Sequence, residues 1–258
     1  PAQMLKGKIL YKDLMVLYGP FSYQFNSLMY LIFGEKLESL YLAGTFNSMI
    51  VVTSVYLISR LLTGRAVSWI ITFFAMCVLI FDYYITSYMF PYAYAITYAV
   101  SGFLLAVLFC VYYIKYSNQL FIPFAYLFLS ISLLSKIEFL LFLPILIVLT
   151  TILKPVSKKC LLISFLSAAI IPTISWLSLF IQGLSVSDLF KYIVFMKKYS
   201  SSSLVEYFYR NYTGFYFNKN VFIASILSFF KLAVFFLILA IFLYIIMILF
   251  FSKNIGIL

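Results

Sequence analysis

The stretch LESLYLAGTFNSMIVVTSVYLISRLL, residues 37–62, decides the fold class of this chain. After Glu38 it carries no charged side chain until Arg60. It is longer than the roughly 20 apolar residues that a helix needs to cross a bilayer. The stretch therefore predicts a transmembrane helix.

The whole chain has the composition of a membrane protein. Its residues are 66% hydrophobic and only 10% charged, far outside the range of soluble domains. The formal charge of +11 comes from 18 Lys and Arg against 7 Asp and Glu. On a soluble protein that excess would favour nucleic acid as a partner. Here we expect cytoplasmic loops that face anionic head groups, with membrane lipids as partners and no nucleic acid.

Cysteine and histidine usage excludes several kinds of site. Cys77, Cys110 and Cys160 lie in or at the ends of apolar segments without CxxC spacing, which predicts free buried thiols. The sequence contains no histidine, so a histidine-based catalytic triad, the usual zinc sites and a histidine proton relay are excluded for this segment.

Apolar runs predict an all-α polytopic membrane protein with about seven transmembrane helices and juxtamembrane helices on the outer side. Lys136-Ile137-Glu138 divides one long apolar run into a tight hairpin. The predicted spans are Leu37–Leu62, Ala66–Phe81, Ala93–Ile114, Phe121–Ser135, Phe139–Leu153, Cys160–Ile181 and Leu232–Phe251.

Loop charges orient these spans, because cytoplasmic loops carry an excess of Lys and Arg. The connections placed inside hold Arg60, Arg65, Lys115, Lys154, Lys158, Lys159 and Lys253. The connections placed outside hold Asp82, the Lys136 and Glu138 pair, and a long loop over residues 182–220. We interpret Asp82 as an exposed residue at a helix end.

Four regions follow from this topology. Residues 1–36 form an outer loop and a juxtamembrane helix over Phe21–Phe33, which Gly34 ends as a C-cap. Residues 37–181 form a six-helix transmembrane region, residues 182–231 an outer loop with interfacial helices, and residues 232–258 the last span with its cytoplasmic end. Since the chain starts at Pro1 rather than Met, we expect a segment before it.

The polar tract at the start of the chain is the candidate site for chemistry. Gly7-Lys8-Ile9-Leu10-Tyr11-Lys12-Asp13 runs on to Tyr18-Gly19-Pro20, and the predicted topology puts it outside. Two interpretations of Asp13 stay open. It could be a solvated loop residue that caps the next helix, or a carboxylate at a cavity mouth that accepts a proton or helps hold a divalent cation.

The tract, together with Phe33-Gly34 and the long helix that follows, resembles the first outer loop of GT-C glycosyltransferases. More narrowly it resembles bacterial members of the protein mannosyltransferase and aminoarabinose transferase superfamily, of the glycosyltransferase 39 type. Phe90-Pro91-Tyr92-Ala93-Tyr94 and Ser135-Lys136-Ile137-Glu138-Phe139 are also similar to recurring features of that group. The resemblance covers roughly the first 140 residues.

The resemblance implies an inverting enzyme of the bacterial plasma membrane, multi-pass, that moves a sugar from a polyprenyl-phosphate donor to an acceptor outside. Asp13 matches the second acidic position of the family loop and is the expected catalytic residue. The family's earlier acidic residue, commonly its base, would lie upstream of Pro1. The resemblance also leaves open a bound divalent metal ion.

A substrate-binding set accompanies Asp13. Lys12, Lys136 and Arg210 are candidate cations for the leaving phosphate, and Tyr18 and Glu138 complete the expected set. Lys136 and Glu138 could equally be interface anchors at a hairpin apex. As residues two apart on one helix they should not face each other, so the functional alternative is a lip of the active site.

Three classes of function are compatible with the sequence. The first is the lipid-linked sugar transferase. The second is a transporter, such as a flippase of lipid-linked saccharides, although the spans hold few charges and no paired broken helices. The third is a structural membrane subunit, for which no specific residue speaks.

Overall fold

The structure, a computed structural model, describes residues 1–80, 91 and 93–200. Within these residues every regular element is a helix, as the sequence predicts. The chain divides into two compact units, Pro1–Tyr192 and Ile193–Leu258. Of the second unit only residues 193–200 belong to the described part of the chain.

The helices follow the predicted segments closely. Their bounds are α1 (Ala2–Leu5), α2 (Pro20–Phe33), α3 (Leu37–Leu62), α4 (Arg65–Ala75), α5 (Tyr94–Tyr116), α6 (Phe121–Ser135), α7 (Phe142–Val148), α8 (Lys158–Ile181) and α9 (Val186–Ser200). Single π-helical turns over Met76–Ile80 and Leu149–Leu153 extend α4 and α7, and a 3₁₀ turn over Ile137–Leu141 precedes α7.

Several predicted boundaries are confirmed. The third and sixth helices begin and end where the sequence placed them. Gly34 ends α2 with φ of 88°, and its N–H donates to the Tyr30 carbonyl at 2.9 Å. The helix α9 lies in the region predicted as an outer loop with interfacial helices, and the predicted span over residues 232–251 lies outside the described residues.

Three of the described helices, α3, α5 and α8, are long and apolar enough to cross a membrane. The apolar stretches Arg65–Leu79, Phe121–Ser135 and Ile137–Leu153 are shorter. The count of about seven spans therefore stays a prediction.

The centre of the bundle is formed by α5, α6 and α8. Ala106, Ile122, Ala125 and Leu129 are buried there, and the Tyr126 hydroxyl shares a hydrogen bond of 3.1 Å with Thr150 Oγ1. Small side chains allow the backbones to approach, as in many membrane helix pairs. A Cβ on Gly102 would lie 2.7 Å from Ser132 Oγ and 2.8 Å from the Phe128 carbonyl oxygen.

Lysines close the helix ends on one side of the bundle. Lys115 Nζ donates to the Leu61 carbonyl at 3.0 Å, and Lys154 Nζ donates to the Ile114 carbonyl at 2.6 Å. The Tyr113 hydroxyl returns a hydrogen bond of 2.8 Å to the Lys154 carbonyl. The last carbonyls of α3 and α5 are thereby satisfied by cations, which also suit the negative ends of helix dipoles.

Gly102→Val tests the contact between α5 and α6. A branched side chain would overlap the Phe128 carbonyl oxygen and Ser132, so we expect a loss of about 1–3 kcal/mol in stability. Thermal unfolding of the detergent-solubilised chain, followed by circular dichroism, measures it. Gly64→Ser is the control, because a Cβ on Gly64 meets nothing within 4 Å. An unchanged melting temperature for Gly102→Val would contradict this packing.

Candidate functional site

The opening tract folds into a tight turn that its own backbone closes. The Asp13 N–H donates to the Ile9 carbonyl at 2.9 Å, and the Tyr11 N–H donates to the Leu14 carbonyl at 2.9 Å. Tyr11 has φ of 67°, the left-handed conformation that costs a non-glycine residue free energy. Its burial offsets that cost.

Tyr11 is the anchor of the tract. Its side chain is only 2% exposed and stacks on Trp176 of α8, with ring centroids 5.5 Å apart. The Tyr192 ring meets it edge-on at 4.7 Å, and the Tyr11 hydroxyl donates to the Tyr18 carbonyl at 3.0 Å. Burial raises the pKa of Tyr11 well above its usual value, so this hydroxyl stays a neutral donor.

Asp13 is an exposed loop residue, as the first interpretation has it, but it does not cap the next helix, so that part of the interpretation is wrong. The N-cap of α2 is Gly19, with Pro20 at the first helical position, and no side chain caps it. Instead Asp13 Oδ2 accepts from the Ile9 N–H at 2.9 Å. The side chain is otherwise exposed, and within the described residues Oδ1 has no hydrogen-bond partner. One carboxylate oxygen holds the turn and the other faces solvent.

The tract contacts the bundle most closely at Gly19. Its N–H donates to the Ser135 carbonyl, the last of α6, at 3.2 Å. A Cβ at this position would lie 1.9 Å from the Leu134 carbonyl oxygen, so only glycine fits. This contact brings Tyr18 and the tract to the end of the bundle that carries Lys136.

Lys12 is committed to the protein backbone. Its Nζ donates to the Gly183 carbonyl at 3.0 Å, just beyond the end of α8. The Tyr192 hydroxyl donates to the Val16 carbonyl at 2.9 Å beside it. Lys12 therefore holds the tract against the turn after α8. Although Lys12 is exposed, this hydrogen bond makes it a weaker candidate for binding a phosphate.

Lys136 and Glu138 form an ion pair, so the expectation that they do not face each other is wrong. Lys136 Nζ lies 3.3 Å from Glu138 Oε1. The expectation assumed one continuous helix. In fact α6 ends at Ser135, Lys136 is extended with φ of −150°, and a 3₁₀ turn begins at Ile137. Both side chains remain partly exposed, at 27% and 61%.

Carboxylates lie at only one of the two ends of the described bundle, whereas lysines lie at both. Every carboxylate in the described part of the chain lies at the end that holds the tract, which we call the tract end: Asp13, Glu35, Glu38, Glu138 and Asp188. The opposite end, which we call the basic end, carries Arg60, Arg65, Lys115, Lys154, Lys158 and Lys159. These six cations belong to connections that the sequence predicts to lie inside, and the orientation of the chain stays a prediction.

An apolar cavity lies among α2, α3, α5 and α6. Its volume is about 190 Å³. Aromatic side chains form much of its wall, and two of them, Phe21 and Phe25, belong to the first two turns of α2, directly after the tract. On the opposite wall the Ser101 hydroxyl donates to Asn47 Oδ1 at 2.5 Å.

Two further expectations concern Arg210 and a divalent metal ion. Arg210 lies outside the described residues. In residues 1–80, 91 and 93–200 no three acidic or sulfur side chains converge on a point where a metal ion could bind. These residues do not form a ligand set for a divalent metal, and we derive no chemical step through one.

The sequence interpretation missed the residues that hold the tract in place. Tyr11, Trp176, Tyr192 and Gly19 anchor it, whereas the interpretation concentrated on charged residues. One signal was available for Gly19, since a Gly-Pro pair marks a helix start. The contacts of Tyr11 with α8 and with Tyr192 join residues more than 160 positions apart, and no local pattern encodes them.

Comparisons with protein-family models, curated proteins and solved structures found no match for this chain.

Gly19→Ala tests the contact between the tract and α6. The added methyl group cannot fit against the Leu134 carbonyl, so the tract should lift and uncover Trp176, its stacking partner. The chain has two tryptophans, so in a Trp69→Phe background Trp176 is the only one that remains. We expect acrylamide to quench its fluorescence more strongly in Gly19→Ala, and no change in Gly64→Ala. Equal quenching in all three proteins would show that the tract does not depend on this contact.

The tract should loosen at high pH. Burial, with smaller contributions from Tyr18 and Tyr192, raises the pKa of Tyr23 to about 12, against an unfolded value of about 10. The folded state thus retains the proton longer. Its contribution to stability is complete below pH of about 10 and is lost as the pH rises to about 12.

The Trp176 emission spectrum, recorded in the Trp69→Phe background across this pH range, measures the change. Tyr23→Phe should flatten the transition because it removes the titrating group, while Tyr116→Phe, at the basic end, should leave the transition unchanged. A spectrum constant to pH of about 12 would contradict the coupling between the tyrosines and the tract.

Proposed function

We propose that this chain is a membrane glycosyltransferase that moves a sugar from a polyprenyl-phosphate donor to an acceptor at the tract end. One observation carries the proposal. The hydrogen bond from Gly19 to Ser135 joins the tract, with its exposed Asp13, to the helix end that bears Lys136 and Glu138. A carboxylate and a cation thus share one end of a bundle with membrane-length helices.

The chemistry assigns one step to Asp13. The acceptor hydroxyl oxygen bonds to the anomeric carbon, and the free oxygen of Asp13 takes the proton from that hydroxyl. The bond between the anomeric carbon and the donor phosphate breaks, and polyprenyl phosphate leaves with the electron pair. A positioned base of this kind contributes about 10²–10⁴-fold to the rate. Attack from the side opposite the leaving group inverts the configuration at the anomeric carbon.

A cation near the departing phosphate would stabilise the charge that develops there. Lys136 is the stronger candidate among the described cations, since Lys12 is bonded to the Gly183 carbonyl. Glu138 balances Lys136 in the resting state at 3.3 Å. An incoming phosphate would replace that carboxylate as the partner of the ammonium group.

The apolar cavity supports a donor with a hydrocarbon chain. Phe21 and Phe25 link its wall to the tract through the start of α2. Phe46, on the same wall, is 56% exposed on the outer face of α3. A polyprenyl chain that enters the cavity from the surrounding lipid would place the donor phosphate near the tract end.

The proposal includes an integral membrane location, in a bacterial plasma membrane, with the tract on the outer side. Helices α3, α5 and α8 support membrane insertion by their length and composition. Arg60, Arg65, Lys158 and Lys159 at the basic end support that orientation, because cytoplasmic loops carry an excess of Lys and Arg.

Asp13→Asn separates catalysis from folding. The amide oxygen can still accept from the Ile9 N–H, so the turn should persist, but the base is lost. We expect sugar transfer from a polyprenyl-phosphate donor to fall by at least about tenfold. Asp188→Asn is the matched control, a partly buried carboxylate of the same end whose bonds are to Ser185 and Lys191. Normal turnover of Asp13→Asn would remove Asp13 from the site.

Product analysis separates the enzyme from a flippase. The full chain, reconstituted with a polyprenyl-phosphate sugar, should release free polyprenyl phosphate only when acceptor is added. A flippase would move the lipid intact, so transbilayer movement without release would overturn the proposal.

A further inference from the structure

We infer that the basic end is a binding surface for anionic lipid head groups, formed by the four cations Arg60, Arg65, Lys158 and Lys159. The inference is independent of the proposed sugar transfer. It concerns the opposite end of the bundle and requires only that the chain spans a membrane.

The structure divides the cations of the basic end into two groups. Lys115 and Lys154 are used internally, because each donates to carbonyl groups at helix ends. The other group consists of Arg60, Arg65, Lys158 and Lys159. All four are exposed, and none has a hydrogen bond or ion pair to any residue of the described chain.

No carboxylate of the described residues is available to neutralise this group. Those carboxylates all lie at the tract end, where Glu35 pairs with Lys6, Glu138 with Lys136, and Asp188 with Lys191. Within the described residues, the lysines of the tract end therefore have carboxylates on the same side of the bundle, whereas the cations of the basic end have none. The compensating negative charge for the basic end has to come from outside the described chain, and the adjacent medium is lipid.

The placement of Lys158 and Lys159 strengthens the argument. They occupy the first turn of α8, whose N-cap is Ser157. Cations there oppose the positive end of the helix dipole. An external phosphate would reverse this local repulsion, since it would meet both ammonium groups and the free N–H groups of the first turn.

Aromatic residues set the four cations at head-group depth. Trp69 follows Arg65 by one helical turn, is 56% exposed, and packs on Tyr56 with ring centroids 4.9 Å apart. Tyr112 and Tyr116 stack at 5.9 Å near the end of α5. Exposed Trp and Tyr rings concentrate at the boundary between hydrocarbon and head groups. The cations lie just beyond that boundary, where lipid phosphates are found.

The two tryptophans provide a direct test, because Trp69 is near the basic end and Trp176 stacks on the tract. Trp176→Phe and Trp69→Phe each leave one reporter. The full chain is reconstituted in phosphatidylcholine vesicles with a minor fraction of lipid brominated in its acyl chains, either phosphatidylglycerol or phosphatidylcholine. The ratio of quenching by the two brominated lipids corrects each tryptophan for its own accessibility.

We expect brominated phosphatidylglycerol to associate at Trp69 at least about fivefold more strongly than brominated phosphatidylcholine, and no such preference at Trp176. The variant Arg60→Gln, Arg65→Gln, Lys158→Gln, Lys159→Gln should abolish the preference. The control Lys6→Gln, Lys8→Gln, Lys36→Gln, Lys191→Gln removes the same charge from the tract end and should retain it.

A salt titration of the chain with all four cations intact keeps the test decisive if the four-site variant fails to fold. At about 1 M salt the screening length falls to about 3 Å, so the preference at Trp69 should collapse. Equal quenching by the two lipids at low salt, a preference that survives high salt, or an equal preference at Trp176 would each overturn the inference.

Discussion

The site depends on the close approach of Gly19 to the end of α6. The short helix α6 ends at Ser135 and leaves carbonyl groups that need donors. The Gly19 N–H satisfies one of them at 3.2 Å, and the missing side chain lets the two backbones meet. Without this contact the tract would be held only through Tyr11 and Lys12 at α8. With it, the tract spans the ends of two helices and starts α2 at a fixed place.

Hydrogen bonds from side chains to backbone carbonyls recur at both ends of the described bundle. At the tract end Tyr11, Lys12 and Tyr192 donate to backbone carbonyls of loops and turns outside the helices. At the basic end Lys115 and Lys154 donate to carbonyls at the ends of α3 and α5. Such cappings matter in a membrane protein because lipid offers no donors. The charges that remain after this internal use include one oxygen of Asp13 at the tract end and the four cations at the basic end, and we propose that these groups act on ligands.

Much of the helical framework could be predicted from the sequence, and the site only in part. Apolar length fixed α3 and α6 to the residue, because the transfer of apolar side chains dominates there. The same reasoning gave no bounds for α9, which lies in the region predicted to hold interfacial helices, because its sequence lacks an apolar run of membrane-spanning length. The ion pair of Lys136 and Glu138 was missed because it depends on the residue at which α6 ends. Helix ends are uncertain by one or two residues. The burial of Tyr11 was missed because it depends on contacts with residues distant in the chain.

In the proposed topology the tract and the basic end face opposite sides of a membrane, with the tract outside. Sidedness of cysteine labelling tests it most directly. In a full chain whose native cysteines are replaced, Lys8→Cys and Lys159→Cys place single thiols at exposed positions of the two ends. A membrane-impermeant maleimide should label Lys8→Cys only from the outside of intact cells and Lys159→Cys only in inverted vesicles. Labelling of both positions from the same side, or of Lys8→Cys only from the cytoplasm, would contradict the account.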